Sequence, residues 1–286
     1  MTYSIVGRDE RSGEMGVAVQ SRAFVVGFCA WARPGVGAVA TQSFTERGYG
    51  PRGLDLLAAD ESPEDALARL LEADEQRDFR QVAFLSSGGR TAAHTGAACI
   101  PDCGHTSRAG VSAQGNMLAS PAVWHAAADT FETTEGPLAE RLLAALDAAE
   151  DAGGDFRGRE SSTLVVVSGD RGEEPWQRVF DLRVDNHPEP LQELRRLHGI
   201  AAAYRRRHDF GPHTSLEEEV ELAQAAGLPE DQVALTAAIA AVAHGDLDEA
   251  AARLRPMGEA DPRWRETLER YVRLGFMPQE VLDRLG

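Results

Sequence analysis

The chain contains no lysine. Its basic side chains, 29 against 46 acidic ones, are all arginine. That absence excludes Walker-A phosphate binding, Schiff-base and pyridoxal chemistry, and any lysine general base. Arginine is effectively always charged, so a cation in any site here binds anions and does not shuttle protons. Positive charge is scarce as a whole: the net charge of −17 argues against a nucleic-acid backbone or an anionic membrane as partner. The Arg205-Arg206-Arg207 run reads as the solvated end of a helix. Cysteine is sparse, with Cys29, Cys99 and Cys103 only, and an odd count of this kind is no disulfide framework. Cys99-x3-Cys103-x-His105 has metal-like spacing, but no fourth ligand is evident, so neither metal nor cofactor is expected. No apolar run approaches the roughly 20 residues of a membrane span. The start lacks a basic segment followed by an apolar one, so a cytoplasmic protein without a signal peptide is expected.

What is present is ample apolar material, 43% of 286 residues, enough for one large domain or one domain plus a small one. Thr2–Arg8 and Met15–Phe24 read as strands joined by the turn chemistry of residues 9–14. Val36–Phe44 is a third strand, and Pro51–Ala59 a helix. Ser62-Pro63-Glu64-Asp65 opens another helix with a cap, a first-turn proline and acids. Arg80–Ser87 and Arg90–Thr95 form a hairpin around Gly88-Gly89. Gly110–Gly115 is a strand, and Pro121–Thr133 and Pro137–Ala152 are helices, the second stopped by Gly153-Gly154. Ser161–Ser168 and Arg178–Val184 are partner strands, followed by a helix over Pro190–Arg207. Strands come in hairpin groups with helix pairs between them, which argues for α+β with antiparallel sheets. Two helix pairs could cover two stacked sheets, giving a four-layer α-β-β-α sandwich.

Phe210-Gly211-Pro212-His213 reads as a linker, so residues 1–208 form the main domain and 209–286 a small all-helical tail. Helix starts stand at Ser215 and Pro229, with Ala237–His244, Asp246–Arg255, Pro262–Leu274 and Pro278–Leu285 following. The turn at Gly245-Asp246 is weakly tetratricopeptide-like.

Several clusters could carry chemistry. Met1 precedes Thr2, a small residue that permits removal of the initiator. A terminal threonine joins a hydroxyl nucleophile to an α-amine whose ordinary pKa, about 7.7–8.0, suits a general base. The plain alternative is that threonine is a common second residue. Gln114-Gly115-Asn116 ends a strand. Asn116 could donate into an oxyanion hole, or could simply cap the next turn. The segment from Gly153 to Ser162, with Asp155, Arg159 and Ser161, places charge at the mouth of a buried strand, where it lines a site or only a solvated connection. His94 closes a hairpin strand and is equally ambiguous, while Asp185-Asn186-His187-Pro188 reads as a strand-to-helix turn and not as a catalytic histidine. Gly48-Tyr49-Gly50-Pro51-Arg52-Gly53 fits a dinucleotide fingerprint, but the next strand ends in Ser86-Ser87-Gly88 with no acid for a ribose hydroxyl.

Taken together, Thr2-Tyr-Ser-Ile-Val-Gly-Arg-Asp9, Gly16-Val-Ala-Val-Gln-Ser-Arg22, Gly37-Ala-Val-Ala-Thr-Gln42, Gly48-Tyr-Gly-Pro-Arg-Gly-Leu54, His94-Thr-Gly-Ala-Ala-Cys99, Gln114-Gly-Asn-Met-Leu118 and Gly153-Gly-Asp155 resemble the DUF1028 family, over roughly residues 2–200. That family is grouped with the N-terminal-nucleophile (Ntn) hydrolases. The resemblance implies the four-layer sandwich and, by position, Thr2 as nucleophile. It also departs from a pattern: proteasome-like chains carry Asp-Ser-Arg and a lysine where this chain has Gln20-Ser21-Arg22 and none. Relatives usually have Gln at the position of Glu160.

The expectation is therefore an amide hydrolase acting on a small, anionic substrate. Thr2 would attack, with Asn116 at the oxyanion. Arg22 and Arg159 would pair with a substrate carboxylate, Asp155 and Ser161 would orient the α-amine, and Gln42 and Gln114 would contact substrate. One rival is a non-catalytic ligand-binding module whose helical tail docks a protein partner. A weaker rival is a nucleotide-binding oxidoreductase. A homo-oligomer is left open.

Overall fold

A computed structural model of the chain describes residues 2–208 and 215–286. The predicted linker Phe210–His213 lies outside the described residues. The chain divides into two compact units, Met1–Arg195 and Arg196–Gly286.

The first unit holds two antiparallel sheets. The larger has the order β10-β9-β2-β1-β8-β7, built from β1 (Thr2–Arg8), β2 (Met15–Ser21), β7 (Gly104–Arg108), β8 (Val111–Asn116), β9 (Ser161–Val167) and β10 (Phe180–Val184). The smaller has the order β3-β4-β5-β6, built from β3 (Ala30–Arg33), β4 (Gly37–Ser43), β5 (Arg80–Ser86) and β6 (Thr91–Thr95). Side chains alternate across each strand, and in β1 both alternating sets are buried. Val6 joins Val17, Val19 and Val165 in one apolar cluster with Ala38, Ala40, Ala83 and Leu85 of the smaller sheet. On the other face, Tyr3 reaches Glu150 of helix α4 (Leu138–Asp151). Helix α3 (Ala122–Thr133) packs beside α4 on the same sheet, while α1 (Tyr49–Ala58) and α2 (Pro63–Glu72) pack on the smaller one. This is a mixed α+β unit, consistent with a sandwich. The α2 start is as predicted: Ser62 Oγ accepts from Asp65 N at 3.1 Å, with Pro63 in the first turn.

Several details differ from expectation. The second strand stops at Ser21, because the chain turns there and Val25 takes a left-handed φ of 60°. The edge strands β3 and β7 were not expected. One has four residues before Pro34-Gly35, and the other, Gly-His-Thr-Ser-Arg, lacks an apolar pattern. The residues Ala237–His244 are the second half of one helix and not a separate element.

The helix α5 (Pro190–His208) contains the division between the units. In the second unit, α6 (Leu216–Ala225) begins with a capping box from Ser215 and Glu218. It is followed by α7 (Glu230–Ala243), α8 (Leu247–Ala260), α9 (Pro262–Arg273) and α10 (Gln279–Leu285). Leu235, Ala238, Ala250, Leu254, Leu268 and Val281 form their core. Helix α8 continues through Pro256, past its expected end at Arg255. Among the described residues no helix is long and apolar enough to cross a membrane.

Candidate active site

Register builds the site. Thr2 pairs with Ser21 on one side and Asn116 on the other, and Ser21 pairs in turn with Ser161. Three hydroxyls and an amide thus stand in one row across the four strands β9, β2, β1 and β8. The smaller sheet supplies a second polar row, Gln42, Gln81 and Thr95, also paired in register. Thr2 is 5% exposed, and Ser21, Gln42, Gln81, Asn116 and Ser161 are wholly buried. The Thr2 hydroxyl donates to Ser21 Oγ at 3.1 Å.

The amide orientations follow from the carbonyls they meet. Gly104 O and Gly115 O can only accept, so Gln81 turns Nε2 toward them, at 3.1 and 2.8 Å. Its Oε1 then faces the other way and accepts from Gln42 Nε2 at 2.8 Å and Asn116 Nδ2 at 2.9 Å. Gln42 Nε2 also donates to Thr2 O at 3.1 Å. Four buried atoms are left over without a partner: Gln42 Oε1, Asn116 Oδ1, Gln114 Oε1 and Ser43 Oγ. Each such atom costs about 1–3 kcal/mol. Groups of this kind mark places where something else is bound or where function is paid in stability.

Backbone strain gathers here as well. Five non-glycine residues among those described have positive φ, and three of them follow the polar rows closely. Val25 (60°) comes four after Ser21, Ser43 (68°) one after Gln42, and Met117 (56°) one after Asn116. Such strain persists only where surrounding structure holds it, and it concentrates at functional sites.

Two predicted residues act on the loop leaving Ser21. The Asp155 carboxylate, fully buried, accepts Arg22 N at 3.1 Å and Arg157 N at 2.9 Å and pairs with the Arg157 guanidinium at 3.3 Å. Ser161 Oγ donates to Ala23 O at 2.5 Å and accepts from Val26 N at 3.0 Å. Both fasten residues 22–26 and so fix Ser21 against Thr2. Gln114 Nε2 bridges Ser4 Oγ and Ala40 O. The two arginines expected to bind a substrate carboxylate are already occupied. Arg22 pairs with Glu160, and Arg159 pairs with Glu189 and with Glu150 at 2.9 Å. Behind the row, Tyr3 donates to Glu150 at 2.5 Å. Burial, with Glu150 adding to it, pushes that phenol well above its ordinary pKa.

Of the remaining candidates, His105 alone meets the polar rows, through Thr95. His94 bonds Arg77 O, and His187 Nδ1 accepts from Glu189 N. Cys99 Sγ donates to Arg80 O, and His105 meets the Thr95 hydroxyl. Among the described residues no group of three or more His, Cys, Asp or Glu is placed to hold a metal ion. The glycines of α1 serve close packing: a Cβ on Gly50 would lie 2.3 Å from Trp31, and one on Gly53 2.4 Å from Phe84.

Sequence reasoning passed over Ser21 and Gln81 as site residues. The only signal at Gln81 was a polar residue heading an apolar strand. Its role depends on which strands β5 lies beside and faces.

Fold and site together define an α+β protein with a buried, strained, hydroxyl- and amide-lined row at the head of its central strand. The chain belongs to DUF1028, a family of unknown function, whose profile matches residues 2–194. It is similar to a Silicibacter pomeroyi protein of that family solved by crystallography. The two share 31% identity with a TM-score of 0.65, over 72% of this chain and 90% of that one. No curated protein matches.

Proposed function

We propose that this protein is an N-terminal-nucleophile amide hydrolase of four-layer α-β-β-α build, acting on a C–N bond in a small, linear amide. Removal of Met1 in the cytoplasm would leave Thr2 with a free α-amine. Thr2 Oγ attacks the amide carbonyl while the α-amine, directly or through a water, takes the hydroxyl proton. The new C–O bond forms, and the C–N bond breaks as the same proton passes to the leaving amine. Water then cleaves the threonyl ester, releasing the acid and restoring Thr2. The second hydrogen of Asn116 Nδ2, not used by Gln81, is the donor for the oxyanion. Ser21 and, through the 22–26 loop, Asp155 and Ser161 hold the nucleophile in place.

The observation that carries this reading is the Thr2 hydroxyl, buried and bonded to Ser21 Oγ at 3.1 Å amid unpartnered acceptors. Acceptors of that kind suit the N–H donors of an α-ammonium or an amide. The rival reading is a binding module on the same scaffold.

A β-lactone acylating probe separates the two. Purified protein lacking Met1 should gain one adduct, mapped to Thr2, and a Thr2→Ala protein should gain none. An untouched Thr2 in a chain that has lost Met1 would rule out the hydrolase.

A further inference from the structure

The arginines near Thr2 are neutralised by carboxylates, but others are not. A cavity of about 400 Å³, within the range of small-molecule sites, is lined by Arg47, Arg178 and Arg183 and by the rings of Phe28 and Trp31. Asp181 is its one carboxylate, 3.3 Å from Arg183 Nε. Three positive charges face one negative, in a chain whose net charge is −17. No carboxylate among the described residues lies within ion-pairing distance of Arg47 or Arg178. Arg178 spends its hydrogen bonds on Pro175 O and Gln177 O, at 2.7 and 2.9 Å, and burial pulls its guanidinium below the ordinary pKa. Arg47 lies over the Phe28 ring, 4.4 Å from its centre. The Trp31 indole N–H is buried without a partner. Among the charged side chains lining the cavity, the arginines are donors and Asp181 is the one acceptor. Arg47 and Arg183 are exposed and Arg178 is half-buried; the cost of an uncompensated, partly buried charge therefore falls on Arg178, and a bound anion would relieve it.

The cavity lies beyond the Ser161 end of the polar row, away from Thr2. Ser4, next but one to Thr2, runs in register through Val19 and Thr163 to Arg183. That is three strand spacings, about 14 Å.

We infer that this cavity binds a small molecule bearing a carboxylate or phosphate group and a flat apolar body. The anion sits among the three guanidiniums, where planar forks favour such groups, and the body lies against Phe28 and Trp31.

Benzoate and inorganic pyrophosphate, titrated separately into the full chain by calorimetry and tryptophan fluorescence, test this. At least one should saturate with a Kd below about 1 mM. Saturation by benzoate alone assigns a carboxylate ligand, and by pyrophosphate alone a phosphate. Arg47→Gln with Arg178→Gln should weaken binding at least about tenfold. Should that pair not fold, Arg47→Gln alone decides. Trp31→Phe should remove the fluorescence change and keep the calorimetric one. Thr2→Ala should bind as the parent does, so this site stands or falls independently of the hydrolase. Saturation by neither anion, or binding unchanged in the arginine variants, overturns the inference.

Discussion

The side-chain oxygen of Gln81 accepts from Gln42 Nε2 at 2.8 Å, joining two glutamines that already pair in register on neighbouring strands. Asn116 donates to the same oxygen from the other sheet. Gln81 is thus the knot between the sheets at the level of Thr2. Replacing it with leucine strands the Gln42 and Asn116 donors and the Gly115 carbonyl in a dry interior. At about 1–3 kcal/mol for each group left unpaired, Gln81→Leu should cost about 3 kcal/mol or more. Urea unfolding followed by near-UV dichroism measures it. A loss under about 1 kcal/mol would mean the network reforms around water.

Asp155 is expected to act by positioning. It touches neither Thr2 nor any hydroxyl of the row, yet its carboxylate anchors the backbone N–H of Arg22, the residue after Ser21. Asp155→Ala should therefore speed hydrogen exchange at the amides of Arg22 and Arg157 selectively. It should slow acylation of Thr2 by a β-lactone at least about tenfold, the scale on which small misplacements act. Rescue by Asp155→Asn should be partial, since an amide oxygen still accepts one of the two bonds. Unchanged exchange at Arg22 would show that the loop is held elsewhere.

The paired strands, the helix starts and the polar segments were legible in sequence because each rests on local chemistry. Ser62-Pro63 caps a helix wherever it stands, and Thr2–Arg8 alternates wherever it is paired. The convergence of Thr2, Ser21, Gln42, Gln81 and Asn116 was only partly legible. Thr2 and Asn116 were singled out by residue type and position. That Gln81 bonds both Gln42 and Asn116 depends on sheet order, which puts β1 between β2 and β8 and faces β5 toward them. The pairing of Arg22 with Glu160, and of Arg159 with Glu150 and Glu189, was hidden for the same reason. Charge near a strand mouth reads alike whether it waits for a substrate or is already satisfied.

Acid should weaken the fold through Asp74. A hydrogen bond from Arg80, at 2.8 Å, is the main reason its carboxyl lies below the ordinary value of 3.8, and both side chains are mostly buried. A carboxyl with a depressed folded pKa adds stability above its unfolded value, and that stability is lost as pH falls through the folded value. Asp74→Asn should therefore lower the urea midpoint at pH 7, and by progressively less as the pH falls below 3.8. A loss that does not shrink as the pH falls would show that the pair contributes nothing through its charge.

Cys29 should be inert. Burial pushes its thiol to about 12, and it is 2% exposed, so almost no thiolate forms near neutrality. Cys103 is only half-buried, although burial raises its thiol too. Iodoacetamide at pH 8 on the native protein should label Cys103 ahead of Cys29, read peptide by peptide by mass. Labelling of both in urea is the control. Rapid native labelling of Cys29 would mean that the short 3₁₀ turn Val26–Cys29 opens readily, and with it the loop that Ser161 fastens.

The glycines of Gly48–Gly53 separate two explanations of one motif. In a dinucleotide site they let the backbone approach a pyrophosphate. Here the Cβ that Gly50 lacks would fall 2.3 Å from the Trp31 ring, so the glycine lets α1 lie close on β3. Trp31 can yield only by shifting its indole, since Gly50 meets three of its ring atoms at once. Overpacking of this kind costs about 1–3 kcal/mol, and Gly50→Ala should lower the urea midpoint accordingly. It should also perturb the fluorescence of Trp31. A Gly50→Ala chain as stable as its parent would show that packing does not require the glycine, and would return Gly48–Gly53 to consideration as a phosphate cradle.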